Sequence, residues 1–458
     1  MKKRWFACYL GVLGLLVLPA LAGASGYGLN ELGTKALGMG GAFAAQADDP
    51  TAVYFNPAGI VQLEGTQVSV GVNTVTPSVT FESNGTSGIP VGGQPSFAGQ
   101  ETDTEDETFF IPNVYFTHKF SDKVSAGLGA FSNFGLSTDW KDDWEGRFIL
   151  GGQLAEIKTY SVNPVIAYRP HERVSLAFGA VAQRFEIEVQ YNQFVPIPPA
   201  LGGPAGGEVH TKLKGDNWNW GWNVALLVWL TDNLRVGATY RSEISHTIKD
   251  GDAEFSPTVP AIAPIAPIPG VFPGFPGFPG IQDTGFSGSI TTPAIAYLAV
   301  AYTWNRFTFE FDAQWTEWST FDKLKATFEQ PVAGQPSLET EIGWENTWAY
   351  RFGVQYKTTE WLDLRAGFVY DEETMPDDEL SVVLPSSNRQ LYTFGASGHY
   401  KSLTVDFAYN YLVDDDRKWN NAKGDPSAAL ARAGYKRITG EFNDKDAHIF
   451  GLNLTYRF

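Results

Sequence analysis

The chain of 458 residues carries one cysteine, Cys8, and it lies in an N-terminal apolar run. Disulfides and thiolate chemistry are therefore excluded from the folded protein. Long hydrophobic stretches are missing as well. After the N-terminus no run of about 20 apolar residues occurs, which rules out a bundle of membrane-spanning helices. Cations are scarce: 33 Lys and Arg face 51 Asp and Glu, giving a formal net charge of −18. That balance argues against nucleic acid as a partner, because phosphate binding needs a basic surface. The six histidines are scattered without metal-ligand spacing. No Gly-rich phosphate loop or nucleophile elbow is present. The expectation is a non-enzyme with neither metal nor cofactor.

The first residues read as an address. Lys2, Lys3 and Arg4 precede the apolar run 6–18, and Ala20, Ala22 and Ala24 follow in A-x-A spacing. A signal peptide spanning 1–24 is expected. Its removal takes the formal charge from −18 to −21.

What is present is aromatic and glycine-rich: 14% Phe, Trp and Tyr, and 48 Gly. Mean hydropathy is only −0.17. A transmembrane β-barrel accommodates this, because only alternate strand residues face lipid. The C-terminus shows the pattern most clearly. Phe450, Leu452, Leu454, Tyr456 and Phe458 alternate with Gly451, Asn453, Thr455 and Arg457. The same period recurs at 362–370, at 403–411 and at 217–228, where Trp218, Trp220 and Trp222 open the apolar face. Indoles prefer the headgroup level, so this end is expected at a membrane interface.

Tight turns near 121–122, 170–172, 231–233, 305, 359–360 and 401–402 alternate with seven long polar or Pro/Gly-rich segments. The long ones lie near 77–107, 135–151, 190–214, 251–284, 329–346, 372–388 and 414–445. That asymmetry predicts an all-β membrane protein: an antiparallel barrel of about fourteen strands, with periplasmic turns and long outer loops. The expected organisation is a signal peptide (1–24), an N-terminal luminal hatch or plug (25–62), and a barrel (63–458) with seven long outer loops. The apolar content of 26–62, including Leu29, Leu37, Phe43 and Phe55, argues for packing rather than a disordered tail.

Several motifs carry a family resemblance. Asn30-Glu31, Gly38-Met39-Gly40-Gly41-Ala42, Ala47-Asp48-Asp49 and Asn56-Pro57-Ala58-Gly59 resemble the hatch of FadL-type long-chain fatty-acid transporters. Further matches are Asn133 to Thr138, Asp143-Trp144-Glu145-Gly146-Arg147, Trp318-Ser319-Thr320-Phe321, and Leu384-Pro385 with Arg389. The resemblance spans nearly the whole mature chain. It implies a fourteen-stranded barrel closed by the hatch, whose residues include Asn56, Pro57 and Ala58. It also implies a kink in the third strand, at Asn133, Phe134 and Gly135, that opens the wall sideways. The same family includes channels for toluene-like aromatic hydrocarbons, so the substrate stays open between the two classes.

Two outer segments are unusually apolar. One contains Phe194, Ile197 and Leu201; the other contains Ile262, Ile265, Phe272, Phe275 and Phe278. They occupy the positions of the family's substrate-capturing loops, and mutual loop packing is the competing reading. Arg184, Arg235, Arg241 and Arg365 are read by alternation as lumen-facing, with Arg184 the candidate carboxylate anchor and salt bridging within the wall its alternative. A second basic position of the family is replaced here by Val189 or Gln190.

The expected partners are a long-chain fatty acid or other hydrophobic small molecule, and outer-membrane lipid with lipopolysaccharide. The barrel assembly machinery is expected to read Phe458, and the barrel to be a monomer. An outer-membrane lipid hydrolase and a general porin are the remaining alternatives. The location expected is a Gram-negative outer membrane, crossed many times.

Overall fold

The computed structural model describes residues 26–84, 99–142, 144–195, 207–257, 282–332, 334–377, 380–385, 387–419 and 439–458. The strands in chain order are β1 (Thr66–Ser83), β2 (Phe109–Lys119), β3 (Val124–Phe131, resuming at Gly135–Asp139), β4 (Leu154–His171) and β5 (Val174–Val195). After β6 (Gly207–Trp229) four strands come in two pieces each. These are β7 (Leu234–Arg241, Ile244–Pro257), β8 (Thr284–Thr292, Ile295–Trp304), β9 (Phe307–Thr316, Lys323–Val332) and β10 (Gln335–Glu341, Thr347–Lys357). The last are β11 (Leu362–Asp371), β12 (Arg389–Tyr400), β13 (Leu403–Asp414) and β14 (Gly440–Arg457). Each pairs antiparallel with its successor, and β1 pairs with β14 through Val70↔Leu454 and its neighbours. A closed barrel of fourteen strands results. Closure leaves no edge with unpaired backbone in lipid.

The period-two pattern sorts inside from outside as expected. Phe450, Leu452, Leu454 and Tyr456 point outward, while Gly451 and Asn453 are buried on the inner face. Trp218, Trp220 and Trp222 also point outward, with Trp220 70% exposed. Outward Phe120, Trp304, Trp361, Tyr400 and Phe458 cluster by the short turns. The ten-residue step from Trp220 to Leu230 is about 33 Å of strand. Tilted by about 45°, it spans close to the roughly 25 Å apolar band of outer-membrane barrels.

The outer connections differ from the expectation in two places. Segment 190–214 is largely strand, because β5 and β6 stay in register as far as Val195↔Gly207. In segment 329–346 the chain stays in antiparallel pairing, with Val332 opposite Gln335. Both ladders continue where the outward residues have turned polar, since backbone groups gain from pairing whether or not lipid surrounds them. Within segment 372–388, the described Leu380, Val382 and Leu384 are buried.

Residues 26–62 fill the lumen. Only Thr34–Leu37 and Ala52–Phe55 are α-helical, and Pro57–Gln62 forms a 3₁₀ turn. The first helix is a single turn. Gly40 and Gly41 follow it at φ 67° and 76°, a left-handed conformation that ends the helix and that glycine adopts freely.

Candidate functional site

The luminal segment is tied to the wall by polar groups that the strands present inward. Four consecutive amides, from Phe43 to Gln46, donate to two carboxylates of β9. Phe43 and Ala44 bond Asp312 Oδ2, each at 3.0 Å. Ala45 and Gln46 bond Glu310 Oε1 at 2.6 and 3.1 Å. Asn56, fully buried, donates to the carbonyls of Ala44 (2.6 Å) and Leu226 (3.1 Å) and accepts from Ala58 N–H at 3.1 Å. Asn56 therefore caps the turn that opens at Pro57 and joins it to β6. Pro57 and Ala58 are buried with it.

Glycines on the facing wall make room. A Cβ on Gly395 would stand 2.9 Å from Gly38 Cα, and one on Gly367 would stand 2.4 Å from the Met39 carbonyl carbon. The backbone of 38–40 therefore packs directly on the wall at a row that side chains would close.

The third strand is broken where the kink was expected. From Phe131↔Ser161 to Gly135↔Lys158, β3 advances four residues while β4 advances three. β3 thus carries one extra residue, a bulge that bends it. Among the described residues, β2 and β3 pair only from Val114↔Ala130 to Lys119↔Ser125. Residues 109–113 of β2 pair with β1 on their other side, so the wall parts above the bulge. There the N-terminus takes bonds that a neighbouring strand would otherwise make. Leu29 N–H donates to Asn133 O (3.0 Å), and Gly135 N–H donates to Tyr27 O (2.8 Å). Gly28 bridges Phe134. Tyr27 sits among the rings of Phe134, Trp318, Phe321 and Trp344, with centroids 4.8 to 5.7 Å away. Asn133 Oδ1 accepts from Ser161 Oγ (2.9 Å) and Gln183 Nε2 (3.1 Å), which fixes the bulge from inside.

Two cavities meet at this level. The larger, of about 400 Å³, is lined mainly by Ile157, Ile187, Val189, Phe321, Trp344 and Val383, with Glu156, Glu339 and Glu341 as its charged members. The smaller lies where β2 and β3 part, between Phe109, Leu136 and Asp139, and also touches Arg389 and Lys445. Leu136 and Leu384 line both, and both are buried. The two cavities are thus neighbours that share two leucines of their lining beside the parted wall.

The arginines divide. Arg235, Arg241 and Arg365 face inward as read, and each is engaged. Arg235 bonds Gln46 O and Gln62, Arg241 bonds Asn163 and lies over the Tyr54 ring, and Arg365 bonds Gln355 and Ser397. Arg184 does not face inward. Val181, Gln183 and Phe185 occupy the inner face of β5, so Arg184 points outward and pairs with Glu186 (2.9 Å) and Asp216 (3.5 Å). Both faces of β5 mix polar and apolar residues here, so alternation alone did not fix the phase, and the anchor assigned to Arg184 is withdrawn. Val189 lines the large cavity.

Phe194 lies on β5 opposite Glu208. Ile197, Leu201, Ile262, Ile265, Phe272, Phe275 and Phe278, like residues 1–24 expected as a signal peptide, lie outside the described residues. Sequence reasoning missed Tyr27, the Glu310–Asp312 pair and the burial of Leu380, Val382 and Leu384. Its signals were available. Glu310 and Asp312 alternate with Phe309 and Phe311, and the apolar Leu380 to Leu384 interrupts an acidic loop.

Comparison with known proteins agrees with this architecture. An outer membrane protein of Neisseria meningitidis is 28% identical over 98% of this chain and 97% of its own length. A long-chain fatty acid transport protein of Salmonella typhi is 27% identical over the full length of both. Among solved structures, a Pseudomonas aeruginosa FadL homologue superposes with a TM-score of 0.77 at 20% identity, covering 96% of this chain and all of the other. The Pseudomonas putida toluene transporter TodX gives 0.64 at 17% identity, covering 94% of this chain and 99% of the other. The family described as outer membrane protein transport protein (OMPP1/FadL/TodX) matches residues 15–458, and this chain, an outer-membrane β-barrel and not an enzyme, belongs to it.

Proposed function

We propose that this barrel takes up long-chain fatty acids and releases them sideways through the wall between β2 and β3. The observation that carries the reading is the bulge at 132–134, where the two strands part beside an apolar cavity and the N-terminus fills the bonds. In this account the apolar outer segments around 194–201 and 259–281 capture the substrate. The cavity desolvates its chain, at roughly 0.8 kcal/mol per buried methylene. The luminal segment acts as a hatch that blocks the straight path to the periplasm, so the parted wall is the exit of least rearrangement. In this reading passage is downhill, driven by the substrate's own concentration gradient.

One observation favours a second reading, uptake of uncharged aromatic hydrocarbons. The charged side chains of the large cavity are all carboxylates, and Arg184 has turned away. Uptake of oleate and of toluene by cells lacking their own transporter separates the two. Deleting Ser132 removes the extra residue of β3 and restores a continuous ladder with β4. Oleate uptake that falls to background in this variant supports the lateral route. Uptake unchanged by the deletion would sink it, and toluene uptake without oleate would establish the second reading.

A further inference from the structure

The wall also parts between β6 and β7. Ladder pairs run from Trp229↔Arg235 to Asn223↔Arg241 and resume only at Lys214↔Asp252. Between those rows β6 advances nine residues and β7 eleven. The extra residues let β7 leave the plane of the ladder, as a bulge does. β7 breaks between Arg241 and Ile244, and β8 beside it breaks between Thr292 and Ile295, where Pro293 has no N–H to donate. On its far side the outer piece of β8 meets β9 only from Phe286↔Phe328 to Gly288↔Ala326. The outer pieces of β7 and β8 therefore form a two-stranded panel, paired with its neighbours near the tip and interrupted at its base.

Side chains close the parting where a ladder would. Ser242 N–H donates to Trp222 O at 2.9 Å, and Trp222 N–H donates to Ser242 Oγ at 3.0 Å. The Asn219 amide donates to Ser245 O. Ile244 and Ile248 lie over glycines of β6. A Cβ on Gly221 would stand 2.7 Å from Ile244 Cγ1, and one on Gly215 would stand 2.6 Å from Ile248 Cγ2. His246, between the two isoleucines, is fully buried, stacks on Phe185 at 5.1 Å and meets Gln183 Oε1 at 3.0 Å. Gln183 also accepts from Thr292 at 3.1 Å, which holds the panel against β5. Asn217 Oδ1 is buried without a partner, so the closed seam already forgoes a hydrogen bond. Opening such a seam moves side chains and shifts a panel. Opening an intact ladder breaks a row of backbone bonds that lipid cannot replace.

Position and chemistry set what can pass. Trp218, Trp220 and Trp222 border the seam on the outside, which places it at a membrane interface. Facing them on β7 are Ser245 and Thr247, exposed and uncharged. Asp216, Glu243 and Lys249 bring charge only toward its ends. On the inside Ile187, which lines the large cavity, stands opposite Gly215. A molecule crossing here comes from lipid, meets an uncharged rim and arrives beside the large cavity.

We propose that the seam between β6 and β7 is a side entrance through which hydrophobic molecules dissolved in the outer leaflet reach the lumen. It is separate from the exit at β3 and rests on the uptake reading of the previous section. The panel of β7 and β8 shifts, Ile244 and Ile248 leave the glycines, and the apolar chain takes their place.

Bulk placed on the rim tests it. In a Cys8→Ser background, Ser245→Cys puts a thiol at the seam, and Tyr392→Cys puts one on the outer face of β12, which is laddered on both sides. Each is coupled on intact cells to a bulky maleimide. Mass spectrometry reads the extent of coupling, and heat-modifiable migration on gels identifies variants that form the barrel. On coupling, the initial rate of oleate uptake should fall at least threefold in Ser245→Cys and change less than twofold in Tyr392→Cys. A smaller loss in Ser245→Cys, or an equal loss in Tyr392→Cys, would overturn the entrance and leave the channel reading standing. Cells that take up neither oleate nor toluene before coupling would overturn the channel reading, and the entrance with it.

Discussion

Asn56→Ala should loosen the luminal segment while leaving the barrel wall intact. In the native chain the Asn56 side chain serves the Ala44 carbonyl at 2.6 Å and the Ala58 amide at 3.1 Å, with no exposure to solvent. Alanine leaves both backbone groups buried without that partner. Each such loss is worth about 1–3 kcal/mol, so the segment should lose roughly 2–6 kcal/mol of local stability. The bond to Leu226 O disappears as well, but that strand retains its ladder with β5 and β7. Amide exchange through local opening follows the same free energy, and 2 kcal/mol corresponds to about a 30-fold faster rate. Hydrogen–deuterium exchange read by mass spectrometry should therefore accelerate at least 30-fold in peptides covering 43–62. Peptides from β14 should be unchanged. An acceleration below about threefold in 43–62 would refute the assignment of Asn56 as the clamp. Equal acceleration in β14 would mean that the substitution weakens the whole barrel instead.

The glycine row gives a second test: Gly395→Val places its Cβ near Gly38 Cα, at 2.9 Å, and should displace the luminal segment. Single-channel recordings should then show ion leakage absent from the wild type, and an electrically silent variant would contradict the close approach. A third concerns pH. Burial pushes the Asp49 carboxyl up to about 6, against the opposing charge of Lys35, with Asp406 and Asp48 adding to the rise. A raised acid favours the folded segment when protonated. Its contribution is full below the unfolded value near 4 and is lost as pH rises through about 6. Protection of amides 43–62 should accordingly fall between pH 4 and pH 7 in the wild type, and Asp49→Asn should flatten that slope; an unchanged slope in the variant would exclude Asp49 as its source.

The barrel was legible because its chemistry repeats. Lipid imposes the same period-two demand on every strand, so Phe450 to Phe458 alone announces the inner and outer faces, and the turn spacing supplies the count. Asn56 and the interrupted third strand were legible through their motifs, whose neighbours Pro57 and Gly135 mark backbone turns. What could not be read was anything set by strand phase or by long-range contact. Arg184 lies on a strand whose two faces are alike in polarity, so one register step decides between lumen and exterior. The Glu310–Asp312 clamp joins residues some 265 positions apart, and nothing local marks its partners as backbone amides. Arg389 and Lys445 meet only because β12 and β14 flank β13. The extension of β5 and β6 beyond the membrane was hidden because polar strands and polar loops share a composition.

The central claim is that substrate leaves between β2 and β3, and that residues 27–29 must yield for it to do so. Cysteines at Gly28 and Phe134, the two sides of an isolated antiparallel bridge, test this directly. Residues so paired are close enough for a disulfide, and a Cys8→Ser background removes the other thiol of the sequence. Oleate uptake by cells carrying the oxidised double variant should fall below about a tenth of that after reduction, and reduction should restore it. Equal uptake in the oxidised and reduced forms, with the disulfide verified on the same sample, would contradict the lateral exit.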